Sequence, residues 1–140
     1  MLTKELVYNY KRFGRFLKPV IYVNLHYRHN TRACLALVDS GADNCIFHAE
    51  IGELLGIDVE SGPHRTIGGI ASDGSSKPKL INGYMHKIGI NIKGETRNIE
   101  ALFSPDIADH GFAVLGQLGF FDKFESIKFN YKKHKIIIEV

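Results

Sequence analysis

The 140-residue sequence predicts a single, mostly β domain: a closed or sandwich-like barrel with one or two short helices. Apolar residues recur with period two, as at Ile21, Val23 and Leu25 and again at Ile88, Ile90 and Ile92. That alternation belongs to strands with one buried face. Short polar or glycine-bearing stretches separate the runs and suit hairpin turns. The length allows one domain with a real hydrophobic core and is too short for two ordinary ones.

Taken in order, Leu6, Tyr8 and Tyr10 alternate as a first strand. Residues 1–19 thus form an N-terminal extension or strand of the one domain, 1–140. From Pro19, Ile21, Val23, Leu25 and Tyr27 alternate with Tyr22, Asn24 and His26. Arg28 to Thr31 supply turn residues, and Ala33 to Val38 form a second apolar run, so a hairpin delivers Asp39. After Ser40-Gly41-Ala42-Asp43, Ile51, Leu54 and Leu55 stand at helical spacing, with Gly56 placed to end a short helix. Residues 65–79 are rich in glycine and serine between apolar flanks and read as a hairpin or a loop. Ile88 to Ile92 lead to a turn at Lys93-Gly94-Glu95, and Ile99, Ala101 and Phe103 alternate on the return. Phe112 to Leu115 read as a buried strand before a glycine and a helical turn. The last hairpin turns near Lys132 and Lys133, leaving 131–140 as the C-terminal strand, with Ile136, Ile137 and Ile138 as interface or core residues.

Apolar residues make up 44% and charged residues 24%, as in ordinary soluble proteins. No run approaches the roughly 20 apolar residues that span a bilayer, so no membrane is expected as a partner. The N-terminus lacks a secretory apolar region, and a cytoplasmic location is expected. The opening methionine suggests a complete gene product. The net charge of +3 is a mild excess that does not point to nucleic acid. Cys34 and Cys45 make no disulfide framework and read as small buried hydrophobes. Of the seven histidines, His26 and His29 diverge on a strand and its turn, so no metal site and no cofactor are expected. Neither a phosphate-cradling loop nor a dinucleotide fingerprint is present.

The chemistry rests on "LALVDSGADNCIF", residues 35–47, where an apolar strand runs into Asp39-Ser40-Gly41. Asp, Ser and Gly are also common turn residues, so the triplet alone admits an ordinary turn. Two further features join it: Ile67-Gly68-Gly69-Ile70, and Val114-Leu115-Gly116 before a short helix. Together, in this order and spacing, they resemble the retroviral-type (retropepsin-like) aspartic proteases, in their cellular and bacterial branch, over roughly Val20 to Asn130. The resemblance implies a retropepsin-like acid-protease barrel with a flap hairpin. It makes Asp39 the catalytic residue in an active-site loop with Ser40, Gly41 and Ala42. Ser40 would lock two such loops across a dimer axis, and Gly41 would let a substrate carbonyl approach the backbone. Asp43, Ile67, Gly68, Gly69 and Ile70 would bind substrate. Ala42 lacks the hydroxyl that pepsin-like relatives often carry there. Gln117 stands where the family often has arginine, leaving Asp43 to hydrogen-bond that amide or to pair with Arg12 or Arg15.

Amide hydrolysis needs a base to activate water and an acid to protonate the leaving nitrogen. Two adjacent carboxylates sharing one proton do both, as in aspartic proteases generally. The chain has one Asp-Ser-Gly, and Asp43 is too near in sequence to oppose Asp39. The expected enzyme is therefore a homodimer acting on a peptide or protein substrate. A catalytically inactive dimerisation or peptide-binding module is the alternative that the same fold allows.

Overall fold

The computed structural model describes residues 4–68, 80–107 and 112–140. Among them twelve strands follow in order: β1 (Glu5–Asn9), β2 (Lys11–Phe13), β3 (Phe16–Lys18), β4 (Val20–Tyr27), β5 (Asn30–Val38), β6 (Ile46–His48), β7 (His64–Gly68), β8 (Leu80–Ile92), β9 (Glu95–Ser104), β10 (Ala113–Leu115), β11 (Ser126–Asn130) and β12 (Lys135–Glu139). Helix α1 (Ala49–Leu54) follows β6, and 3-10 turns lie at Val59–Ser61 and Phe121–Lys123. The mostly β class and the scarcity of helix agree with the sequence.

The main sheet has seven strands in the order β4-β5-β10-β6-β9-β8-β7, and an added β4–β8 pairing closes it into a barrel. Closure depends on the length of β8. Its whole run from Tyr84 to Ile92 pairs with β9. On its other side, residues 80–84 take β7 and residues 89–91 take β4. One long strand thus seals the barrel at one end and carries a projecting hairpin at the other. Ile88, Ile90 and Ile92 point inward and are at most 4% exposed, as their alternation predicts.

The β8–β9 hairpin turns on two residues, because Glu95 already pairs with Ile92. Lys93 and Gly94 both have positive φ, 47° and 90°. That is the primed two-residue turn whose twist matches the strands it joins. The Asn91 side chain accepts a hydrogen bond from the Gly94 N–H at 3.2 Å.

Helix α1 corrects one expectation. Leu55 is fully buried, but Leu54 is 54% exposed. The helix packs through Gly52: a Cβ there would lie 2.8 Å from Val59 Cγ2 and 2.9 Å from Phe103 Cδ1. With the Gly52–Leu55 face against the core, Leu54 is turned to solvent. Phe47, Phe103 and Phe120 are fully buried, the first two with ring centroids 5.8 Å apart.

A second sheet, β1-β12-β11, joins the two ends of the chain. Leu6 pairs with Ile138 and Tyr8 with Ile136, and all four are core residues. Ile136 and Ile138 therefore serve the core of their own chain. Between β1 and β4, β2 and β3 form a two-stranded ribbon, lengthening the single strand expected there.

Candidate active site

The strand β5 ends at Val38, 2% exposed, whose N–H donates to the Pro19 carbonyl at 2.9 Å. The next amide, Asp39, donates to the Leu115 carbonyl at 3.0 Å, continuing the parallel β5–β10 ladder. β6 pairs with the opposite edge of β10 through Val114 and Ile46. The loop from Asp39 to Cys45 therefore arches over the end of a strand inserted between its own two flanks.

The loop is tied at several points. Asp39 Oδ1 accepts from the Gly41 N–H at 2.9 Å, and the Asp39 carbonyl accepts from Ala42 N–H at 3.2 Å. This is the local turn that Asp side chains favour. From below, Gln117 N–H donates to the Ala42 carbonyl at 2.8 Å and Leu118 N–H to that of Asp43 at 2.9 Å. Gly116 makes the approach possible, since a Cβ there would sit 2.4 Å from Asn44 O and 2.6 Å from Ala42 O. The segment Val114-Leu115-Gly116, marked in the sequence before a short helix, thus runs beneath the loop, and the close approach explains why its last residue is glycine.

Gln117 does not reach for Asp43. Its Nε2 donates to the Ser40 carbonyl at 2.7 Å, so the amide braces the loop backbone. The ion pairs among the described residues are Lys4–Glu95 and Arg97–Glu95, and neither includes Asp43, Arg12 or Arg15. Asp43 is exposed, as are Ser40 and Gly41, while Asp39 and Ala42 are half-buried.

Above the loop stands the β7–β8 hairpin, in which Ile67 pairs with Ile81 and Gly68 with Leu80. Ile67 and Gly68 face Asp39, Gly41, Ala42 and Asp43 across a cleft of about 740 Å³. Gly69 and Ile70 lie outside the described residues. Four lining residues escaped the sequence reading as site residues: Asn44, Ile46, Ile81 and Val114. Ile46 and Val114 were visible as strand residues, and Ile81 follows once the hairpin register is known; nothing in the sequence marked Asn44.

Both thiols are free, and neither lines the cleft. Burial pushes Cys45 up to about 11, a shift its hydrogen bond with the Gly116 backbone opposes and the charge of Asp122 adds to. Burial pushes Cys34 up to about 12. They stay protonated near neutrality and behave as small apolar groups.

No protein-family model matches the chain, and no curated protein matches it significantly. Solved structures do. A retropepsin-like aspartic protease from Rickettsia conorii superposes with a TM-score of 0.62 at 16% identity, covering 99% of this chain and 92% of that one. EIAV protease complexed with an inhibitor gives 0.46 at 17% identity over 76% and 88% of the two chains. The retroviral protease-like domain of Ddi1 from Leishmania major gives 0.48 at 22% identity over 81% and 82%. The likeness is one of fold, and the fold is retropepsin-like.

Proposed function

With the retropepsin-like fold as premise, we propose that the protein is an aspartic endopeptidase working as a two-fold homodimer, with one Asp39 from each copy. The observation that carries this reading is the placement of Asp39. Its backbone is fixed by the Leu115 carbonyl, one carboxylate oxygen is held by the Gly41 N–H, and the group faces an open cleft.

Within the proposed dimer, the two carboxylates share one proton. One takes a proton from the water that attacks the peptide carbonyl, and the other gives its proton to the leaving nitrogen. A single chain does not supply the pair, because Asp43 lies on the same loop, held there through the Leu118 N–H. The bracing of Ser40 and Ala42 by Gln117 keeps Asp39 in place while charge moves, the pre-organisation on which such catalysis depends. An extended peptide lies between Ile46 and Val114 below and Ile67 and Ile81 above, which favours apolar side chains beside the scissile bond. Ile67 and Gly68, at the described end of the β7–β8 hairpin, cover it as the flap.

The test is incubation with a mixed peptide library between about pH 3 and 8, spanning carboxylate titration. The wild-type chain cleaves and Asp39→Asn does not, and activity per chain falls on dilution as dimers dissociate. Cleavage that survives Asp39→Asn removes the carboxylate mechanism. Peptide binding without cleavage by either protein assigns the fold to a non-catalytic module.

A further inference from the structure

The cleft does not end at its own lining. Three cavities meet at Asn44, which lines all of them: the Asp39 cleft, a middle cavity of about 210 Å³ and a far cavity of about 430 Å³. Ile67 is shared by the first two, and Met85 and Glu100 by the last two. The strand registers explain the continuity. Val114 stands beside Ile46, Ile46 beside Leu102, and Leu102 beside Met85, in one row across β10, β6, β9 and β8. Side chains in register across neighbouring strands point to the same face. The row is thus the floor of a groove that runs from the cleft across the sheet.

The length follows from sheet geometry. Three inter-strand steps of about 4.8 Å carry the floor roughly 14 Å from Val114 to Met85. Two further residues along β8 to Lys87, at about 3.3 Å each, run about 7 Å at right angles to that row, so the span from Val114 is about 16 Å. An extended peptide covers that distance in about five residues.

The far cavity has apolar patches within a polar and charged surround. Met85 and the 61% exposed Leu118 supply its accessible apolar surface, with Asn44 and Asn98 beside them. Lys87, Lys123, Glu100 and Asp122 stand around it, with both signs present. A rim of both signs selects neither charge, whereas the exposed leucine gains by being covered. We infer that this cavity is a distal subsite that takes a bulky apolar side chain of the substrate, about five residues from the scissile bond. The occupant rests on the peptide-hydrolase reading; the groove does not.

The experiment uses the full chain carrying Asp39→Asn, so that binding is read without turnover. The probes are fluorescent extended peptides with a central Phe-Leu and Ser/Gly spacers, bearing either leucine or aspartate about five residues out. Burying a leucine side chain predicts that the leucine peptide binds at least about tenfold more tightly. With Leu118→Asp, and with the milder Leu118→Ala, that preference falls below about threefold. Equal affinity for the two peptides, a preference unchanged by both substitutions, or no binding of either peptide overturns the inference. A leucine preference lost with Leu118, in a protein whose cleavage survives Asp39→Asn, leaves the subsite standing while the carboxylate mechanism falls.

Discussion

Replacing Gly116 by alanine tests how the loop from Asp39 to Cys45 is held. The new Cβ would lie 2.4 Å from Asn44 O and 2.6 Å from Ala42 O, where ordinary contact begins at 3.4 Å. The shortfall is about 1 Å, and both neighbours are backbone, which has no rotamer through which to escape. The loop must back off, stretching the Gln117–Ala42 and Leu118–Asp43 backbone hydrogen bonds, now 2.8 and 2.9 Å. Overpacking of this kind costs about 1–3 kcal/mol. At about 4 °C per kcal/mol for a domain near this size, Tm falls by roughly 4–12 °C. Urea unfolding gives the same quantity from the midpoint at an unchanged slope. The control is Gly68→Ala, where an added Cβ meets nothing within 4 Å and stability stays within about 0.5 kcal/mol of wild type. In the proposed enzyme, cleavage by Gly116→Ala also falls about a hundredfold, since a displacement near 1 Å at Asp39 costs that much. A Gly116→Ala protein as stable as Gly68→Ala would refute the clamped loop.

Phe103→Ala removes a fully buried ring packed 5.8 Å from Phe47 and 5.9 Å from His86, and costs about 3–5 kcal/mol in urea unfolding; a loss below about 2 kcal/mol contradicts the packing described. Cys45, raised from 9.0 to about 11 by burial, gives an alkaline limit to stability. A folded pKa above the unfolded one means that the contribution is complete below pH 9 and is lost as pH rises through 11. Cys45→Ala therefore loses less stability over that window than wild type, and equal losses count against a buried thiol. In the unaltered protein, thiol reagents at neutral pH label Cys45 slowly until the chain unfolds.

Much of the barrel was legible because period two survives wherever one strand face is buried. Ile88, Ile90 and Ile92 announced their own orientation, and Lys93-Gly94 announced the turn. The β2–β3 ribbon escaped because three-residue strands hold too few residues to show a period. Leu54 misled for a related reason: in a six-residue helix, the close approach of Gly52 decides which side faces the core, and apolar spacing alone does not carry that. At the site, Asp39-Ser40-Gly41 and Val114-Leu115-Gly116 marked the loop and the strand below it. The bracing by Gln117 was misread, since its partner is the Ser40 carbonyl, a backbone atom with no signature in sequence. Ile81 became a cleft residue only through its register with Ile67, and Asn44 only through its position at the junction of three cavities.

The pairing of β1 with β12 also sets a schedule for the chain as it is made. Leu6 and Tyr8 are translated more than a hundred residues before the strand that covers them. Until then the nascent chain carries an uncovered apolar edge, and the second sheet closes only after the barrel's other strands have been delivered.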